Sequence, residues 1–385
     1  MKLRSVSLCF VFPILLASAF RAVGQDFGAD GYFLALPAWQ VLDEKVAREF
    51  ASSRNILSEG MRLRFRPNVH FGSGLSFSAE YEINETAASS SMVSGFRTDL
   101  GHRQITPLRW VVASRSCARV EHFIDRLSIR WNTDQGSVVV GRQRISWGTG
   151  RIWNPTDLFN PINPADYGKI EKDGVDALSA KANFGSFTDL QFVVNAGEHG
   201  RNINAGGRFR TNTSGFDFSI LGGSFDRRTV VGGDIAGSVF EAGIRAEAMA
   251  VIRNPSGVRF VKWIAGADYQ FSPEFYALVE YHFNGEGADD PSSYDFSRLV
   301  TGRIINLGRA YAAVAATYML HPLVSLAFAA TGNLGDASAF THLSATWSAH
   351  EDLQVTGGIM YTFGKPGGEY TLYPKALYVR GEWYF

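Results

Sequence analysis

The sequence predicts an all-β protein, a transmembrane antiparallel up-and-down β-barrel of about 18 strands, with roughly 16 as the alternative count. Three observations carry this. Segment after segment alternates an apolar residue with a polar one, the period of a strand whose two faces meet different surroundings. The links between segments alternate between short and long. Composition agrees: aromatics are 13%, glycines number 40 and charged residues are only 19%, which suits many short strands with tight turns better than helical bundles.

The chain opens on "MKLRSVSLCFVFPILLASAFRAVGQ". Lys2 and Arg4 precede an apolar stretch from Val6 to Phe20, and Ala22, Val23 and Gly24 are small residues ahead of Gln25. This predicts a secretory signal peptide over residues 1–24, cleaved before Gln25. Cys9 lies within it, so only Cys117 stays in the mature chain, and no intramolecular disulfide is expected. Charge is balanced, with 37 Lys+Arg against 37 Asp+Glu. Without a basic field, nucleic acid is not an expected partner.

Residues 25–58 read as an N-terminal segment holding a first strand or a short helix, and residues 59–385 as the barrel. In "GMRLRFRPN", Met61, Leu63 and Phe65 alternate with Arg62, Arg64 and Arg66. In "GSGLSFSAEYEI", Leu75, Phe77, Ala79, Tyr81 and Ile83 alternate with Ser76, Ser78, Glu80 and Glu82. A short Gly-rich link joins the two as a hairpin. The pattern recurs near 121–131, 137–147, 175–184, 188–196, 203–212, 216–223, 228–236, 239–252, 258–271 and 275–283. It continues over 309–320, 324–332, 339–349, 353–363 and 374–385. These are seventeen segments. Single-chain bacterial barrels use an even number, so an extra strand is expected at "GYFLALPAWQV", Gly31 to Val41. The apolar run Ala310 to Gly332 reads as two strands broken at His321-Pro322, since proline inside a helix costs about 3 kcal/mol.

Short links such as "TDQG", "SPE" and "HP" alternate with long ones: Asn84 to about Val120, Gly148 to Gly174 and Asn284 to Gly308. That asymmetry is the periplasmic-turn and outer-loop pattern of outer-membrane barrels. Trp131, Trp147, Tyr269, Trp383 and Phe385 are the expected aromatic girdle at the membrane interfaces. A bilayer core has no water to satisfy a free sheet edge, so the last strand must pair with the first. The terminal Phe385, on an alternating aromatic strand, resembles the assembly signal of outer-membrane proteins. That implies the assembly machinery as a partner, besides outer-membrane lipid and lipopolysaccharide.

The interior-facing parity collects charge. Arg62, Arg64, Arg66, Arg126, Arg130, Arg142 and Arg144 are the candidate lumen residues, with Glu80, Glu82 and Asp157. Of the cationic residues only eight are Lys; the Arg fork suits carboxylates, phosphates and sugar hydroxyls. The opposing expectation is that these arginines pair across strands with Glu80, Glu82, Glu241, Glu247 and Glu280 and only fill the wall. The loop Gly148 to Gly174 carries Trp153, Phe159, Tyr167 and three prolines. It is too aromatic for a disordered segment and is expected to pack in the barrel mouth or lumen. No H-E-x-x-H, paired-Cys or G-x-S-x-G pattern is present, so no enzyme, metal or cofactor is expected.

Asp125-Arg126-Leu127, Gly141-Arg142-Gln143, Ser146-Trp147-Gly148, Asn154-Pro155, Asp157-Leu158-Phe159 and Pro161 resemble a large, mostly uncharacterised family of proteobacterial outer-membrane porin-like barrels. That family is akin to the alginate-export type. The resemblance implies a barrel with a channel-like role in the outer membrane and names no substrate. Residues and resemblance together predict passive diffusion of small solutes, anionic or polyhydroxylated, through a lumen narrowed by loop 148–174. An export or surface-polysaccharide barrel, or a structural barrel with a sealed lumen, is the alternative.

Overall fold

The structure, a computed structural model, describes residues 26–51, 53–90, 103–159, 171–197, 200, 202–300 and 304–385. The expected signal peptide and the loop residues Pro161, Pro164 and Tyr167 lie outside them. One sheet holds nineteen strands. They are β1 (Asp26–Val41), β2 (Asn55–Phe71), β3 (Leu75–Ala88), β4 (Arg109–Arg115), β5 (Ala118–Thr133), β6 (Gly136–Gln143), β7 (Val175–Asn183), β8 (Asp189–Asn195), β9 (Asn204–Thr213) and β10 (Phe216–Phe225). They continue as β11 (Arg228–Val239), β12 (Ala242–Arg253), β13 (Phe260–Gln270), β14 (Phe275–Asn284), β15 (Ala310–His321), β16 (Val324–Asn333), β17 (Ser338–His350), β18 (Leu353–Phe363) and β19 (Lys375–Tyr384). Eighteen of them close the wall, each antiparallel to its neighbours. The short β4 pairs only with the first half of β5 and forms a hairpin at the rim.

The seam is β1 on β19, from Tyr32 opposite Tyr384 to Val41 opposite Lys375. Beyond the ladder, Gly31 N–H donates to Phe385 O at 2.9 Å and Phe385 N–H to Gly31 O at 3.1 Å. Closure leaves the eighteen-stranded wall without a free edge, as a wall without surrounding water requires. Gly31 makes the seam fit. A Cβ there would stand 2.4 Å from the Arg64 carbonyl oxygen and 2.7 Å from the Phe385 ring. We predict that Gly31→Val blocks closure; loss of the heat-modifiable folded band on a gel would report it, and a normal folded band would contradict it.

All turns at one end are short, two to five residues, while the other end carries the long connections. One loop-end connection is tight: Asp226 and Arg227 have φ of 49° and 65°, the paired positive values of a two-residue hairpin. Within the long β3–β5 connection the structure adds β4, which reading by alternation missed. The helix α1 (Glu44–Phe50) lies in the β1–β2 connection. A shorter helix, α2 (Phe296–Val300), lies between β14 and β15. No helix among the described residues is long and apolar enough to cross a membrane.

The outer face is greasy all the way round. Phe33, Trp39, Ile129, Trp131, Leu178, Phe192, Ile220, Val279, Leu343, Ile359, Leu377 and Trp383 are all exposed. Burying one such side chain is worth about 1.5–3 kcal/mol, so dozens left bare in water would overwhelm a net stability of about 5–15 kcal/mol. This is the surface of a membrane-spanning barrel. Trp131, Trp383 and Phe385 stand on it near the turn end, and Tyr269, half-buried, packs edge-on to Phe271 at 4.9 Å. Trp147 corrects the girdle expectation. It is fully buried inside the barrel, because the chain has already left the wall at Gln143.

Candidate functional site

The site begins where β6 stops. Gly141 has φ of +114°, and a Cβ on it would lie 2.3 Å from the Leu127 carbonyl oxygen. That twist breaks the alternation, so Arg142 and Gln143 are buried together. The Arg142 fork binds Asp176 at 2.8 and 3.0 Å and the carbonyls of Ile124 at 3.0 Å and Thr106 at 2.6 Å. Gln143 donates to the carbonyls of Val139 at 3.1 Å and Ala177 at 2.9 Å. These bonds satisfy wall groups that a straight strand would have covered, and the chain turns inward.

Trp147 anchors the outgoing limb. Its ring meets Phe159 at 5.1 Å and Phe225 at 6.2 Å, and its Nε1–H donates to Gln191 at 3.0 Å. Next, main-chain N–H groups fall on two wall carboxylates. Glu247 on β12 accepts from Thr149, from Gly150 at 2.5 Å, from Thr156 N–H at 3.2 Å and from its hydroxyl at 2.7 Å. Glu280 on β14 accepts from Arg151 at 2.9 Å, Ile152 at 3.2 Å and Trp153 at 2.7 Å. From β6 to β14 is eight strands round a wall of eighteen, so the loop reaches nearly the opposite side. Trp153 stacks on His282 at 5.3 Å and is buried with Ile264, Tyr311, Phe340 and Met360. The expectation that Glu247 and Glu280 balance wall arginines is corrected: the loop backbone takes both.

The returning limb ties to a buried charge network on β2, β3 and β5. Arg64, 3% exposed, binds Glu80 Oε2 through Nε at 3.0 Å, Glu82 at 2.9 Å, and Asp125. Arg62 sits 3.2 Å from Glu82, and Arg66 lies between Asp30 at 3.6 Å and Glu171 at 3.7 Å. Arg126 lies 3.5 Å from Glu171 and donates to Lys172 O at 2.8 Å. Asp125 also accepts from Gly174 N–H at 3.1 Å. A register shift between β3 and β5 lets Asp125 and Arg126, adjacent in sequence, both take part. Asp157 is buried and paired with Lys172.

The predicted arginines therefore divide. Arg62, Arg64, Arg66, Arg126 and Arg142 are neutralised by carboxylates, together with Glu80 and Glu82. Arg130 and Arg144 are exposed, as is Arg151 on the loop, and none of the three makes an ion pair among the described residues. Glu171, Lys172 and Asp125 were missed, because a loop and a bulge carry no alternation to betray which way a side chain faces.

Two clusters close down the loop end. Glu286 meets Arg298, Lys262 at 2.8 Å and Arg228 at 3.1 Å. Burial pushes this carboxyl up, but the cations outweigh it and hold it down at about 2. Above the ordinary value of 4.5 this clamp is complete; it is lost as pH falls from 4.5 toward about 2. We predict that amide exchange in residues 285–300, corrected for intrinsic rate, stays slow at pH 5 and speeds up below pH about 3, and that Glu286→Gln is fast already at pH 5. Equal rates in the variant would contradict the clamp. In the second cluster, Glu369 accepts from Leu307 N–H at 3.0 Å, Tyr311 at 2.5 Å and Asn333 at 2.8 Å. Asp336 accepts from Tyr294 at 2.9 Å and from Glu369 N–H at 2.7 Å. Three loops are thereby knitted over the mouth.

A wall of eighteen antiparallel strands with a loop drawn across its lumen invites comparison with solved barrels. The chain superposes on the crystal structure of Pseudomonas aeruginosa OccD3 (OpdP) with a TM-score of 0.54, covering 93% of this chain and 91% of that one at 8% identity. The fold is that of a porin barrel. A mutant of the Rhodopseudomonas blastica porin aligns more loosely, with a TM-score of 0.49 at 10% identity over 94% of this chain and 100% of that one. No family model matches the sequence, and no curated protein matches it.

Proposed function

We propose that this protein is a channel of the Gram-negative outer membrane through which small solutes diffuse, with loop 148–174 as its constriction. The observation that carries the reading is the attachment of that loop to Glu247 and Glu280 by seven hydrogen bonds. A fixed loop at mid-lumen sets pore width without any moving part. The turn end is assigned to the periplasm and the loop end to the outside, facing lipopolysaccharide. The β19 strand with the Phe385 that follows it is the proposed contact for the assembly machinery, after export directed by residues 1–24. No chemical step is assigned to the protein.

Solute preference follows from which charges are free. Arg62, Arg64, Arg66, Arg126 and Arg142 are spent on carboxylates, so their cationic field is cancelled, and Arg130 lies out by the turns. Arg144 and Arg151 on the loop are left to favour anionic or polyhydroxylated solutes. The neutralised wall counts against a polyanion exporter of the alginate type, whose lumen should be strongly cationic. A sealed barrel has one observation in its favour: two apolar clusters, around Trp147 and around Trp153, occupy the interior. Liposome swelling separates the readings. The channel reading expects swelling in small sugars at a rate that falls with solute size; no swelling in any of them would mean a sealed lumen.

A further inference from the structure

On the turn side of the constricting loop the barrel holds an open cavity of about 400 Å³, within the range of about 300–1,000 Å³ typical of small-molecule sites. Arg151 enters it from the loop, and the wall supplies Arg245, Asp268, Tyr276, Gln270 and, towards the turns, Asp217 and Glu241. Glu280 fixes the Arg151 main chain at 2.9 Å, so the base of this side chain is pinned while its guanidinium stays exposed. Arg245 is already committed to Asp268. Asp217 accepts from Asn212 at 2.9 Å. Arg151 makes no ion pair or side-chain hydrogen bond among the described residues, so its five donors are available. The space beside it is polar: Gln270 donates to the Ser272 carbonyl and the Tyr276 hydroxyl bonds Asp268, so each still offers an acceptor oxygen, and the carboxylates of Asp217 and Glu241 can accept from hydroxyl groups.

We infer that this cavity is a binding subsite for a small hydroxylated carboxylate, with Arg151 receiving the carboxylate as a two-pronged pair and Tyr276, Gln270, Asp217 and Glu241 contacting the hydroxyls. A guanidinium fork matches a carboxylate in geometry and charge. A neutral sugar would leave the fork unused, and a bare inorganic anion would leave the hydroxyl partners unused. A solute held here sits just past the constriction, where it would both be selected and slow the current. The inference rests on the channel reading for its role, but the site itself does not need conduction.

The test is a calorimetric titration of the full-length protein, folded in detergent, with sodium gluconate as probe and glucose as its uncharged counterpart. Gluconate should bind at least about tenfold more tightly than glucose, a gap of one strong charged contact. Arg151→Gln should bring gluconate down to the glucose level, and Arg151→Lys should keep part of the gap. Arg115→Gln, on the exposed β4 hairpin, should change nothing. The Arg151 variants retain the main-chain bond to Glu280, and a normal heat-modifiable gel band confirms their fold. Gluconate binding no tighter than glucose, or unaffected by Arg151→Gln, would overturn the subsite. If binding follows the expected series while bilayers show no current, the subsite stands and the channel reading falls; current without the series gives the reverse.

Discussion

Replacing Glu247 and Glu280 together by alanine should raise single-channel conductance severalfold and make the open current noisy, while the barrel still folds. Six loop N–H groups and one hydroxyl now end on these two carboxylates. Hydrogen bonds to a charged group contribute about 1.5–3 kcal/mol each. Without them the segment Thr149–Thr156 rests on the packing of Ile152 and Trp153 and on its flanks, Trp147, Phe159 and the Asp157–Lys172 pair. The wall ladders of β12 and β14 are main-chain bonds and do not depend on either side chain. The isosteric Glu→Gln pair is the milder case, since each amide keeps an accepting oxygen but also points donors at donors. Recordings in planar bilayers at fixed salt give the comparison. A double variant with the parent's conductance would mean that the loop is not what limits the pore.

Arg64→Ala should cost about 3–5 kcal/mol of stability, the penalty for removing one partner of a buried ion pair, and should leave ion selectivity where it was. Among the described residues Arg64 is the one cation that reaches Glu80, Glu82 and Asp125 together, and it is more deeply buried than its fellow arginines on β2. Removing it leaves Glu82 with Arg62 at 3.2 Å and Glu80 and Asp125 with Arg126 at 3.7 and 3.6 Å, too little positive charge for three carboxylates in a space too tight for a full hydration shell. The denaturant midpoint of the detergent-folded protein measures the loss, and the reversal potential across a salt gradient measures the selectivity. A stable variant with altered selectivity would show that this network faces the permeating ion after all.

How much of this could be read from the residues alone depends on whether a side chain's surroundings were uniform. The wall was legible because lipid and lumen impose one rule on every strand. Thus Leu377, Val379 and Trp383 face out and Tyr378, Arg380 and Glu382 face in, as period two requires. The eighteenth strand at Gly31 to Val41 followed from parity and is present within β1. The inner site was less legible. Asp125 and Arg126 sit on opposite faces by alternation, yet a bulge turns both inward. Trp147 looked like a girdle residue because Ser137 to Trp147 keeps a strand-like rhythm, while Gly141 has already steered the chain off the wall. Glu247 and Glu280 stood on the correct face, but their partners are main-chain N–H groups more than 90 residues away. Backbone donors leave no mark in a sequence. Arg109–Arg115 was lost for a simpler reason: a strand at the rim, exposed on both faces, has no alternation to show.

The central claim is that an arginine-cancelled wall and a pinned loop leave a water-filled path through this barrel. Single-channel recording of the purified, refolded chain in a planar bilayer addresses it directly. Discrete, long-lived conductance steps proportional to salt concentration are the predicted result. Repeated insertion of properly folded protein with no current above that of the bare bilayer would contradict it.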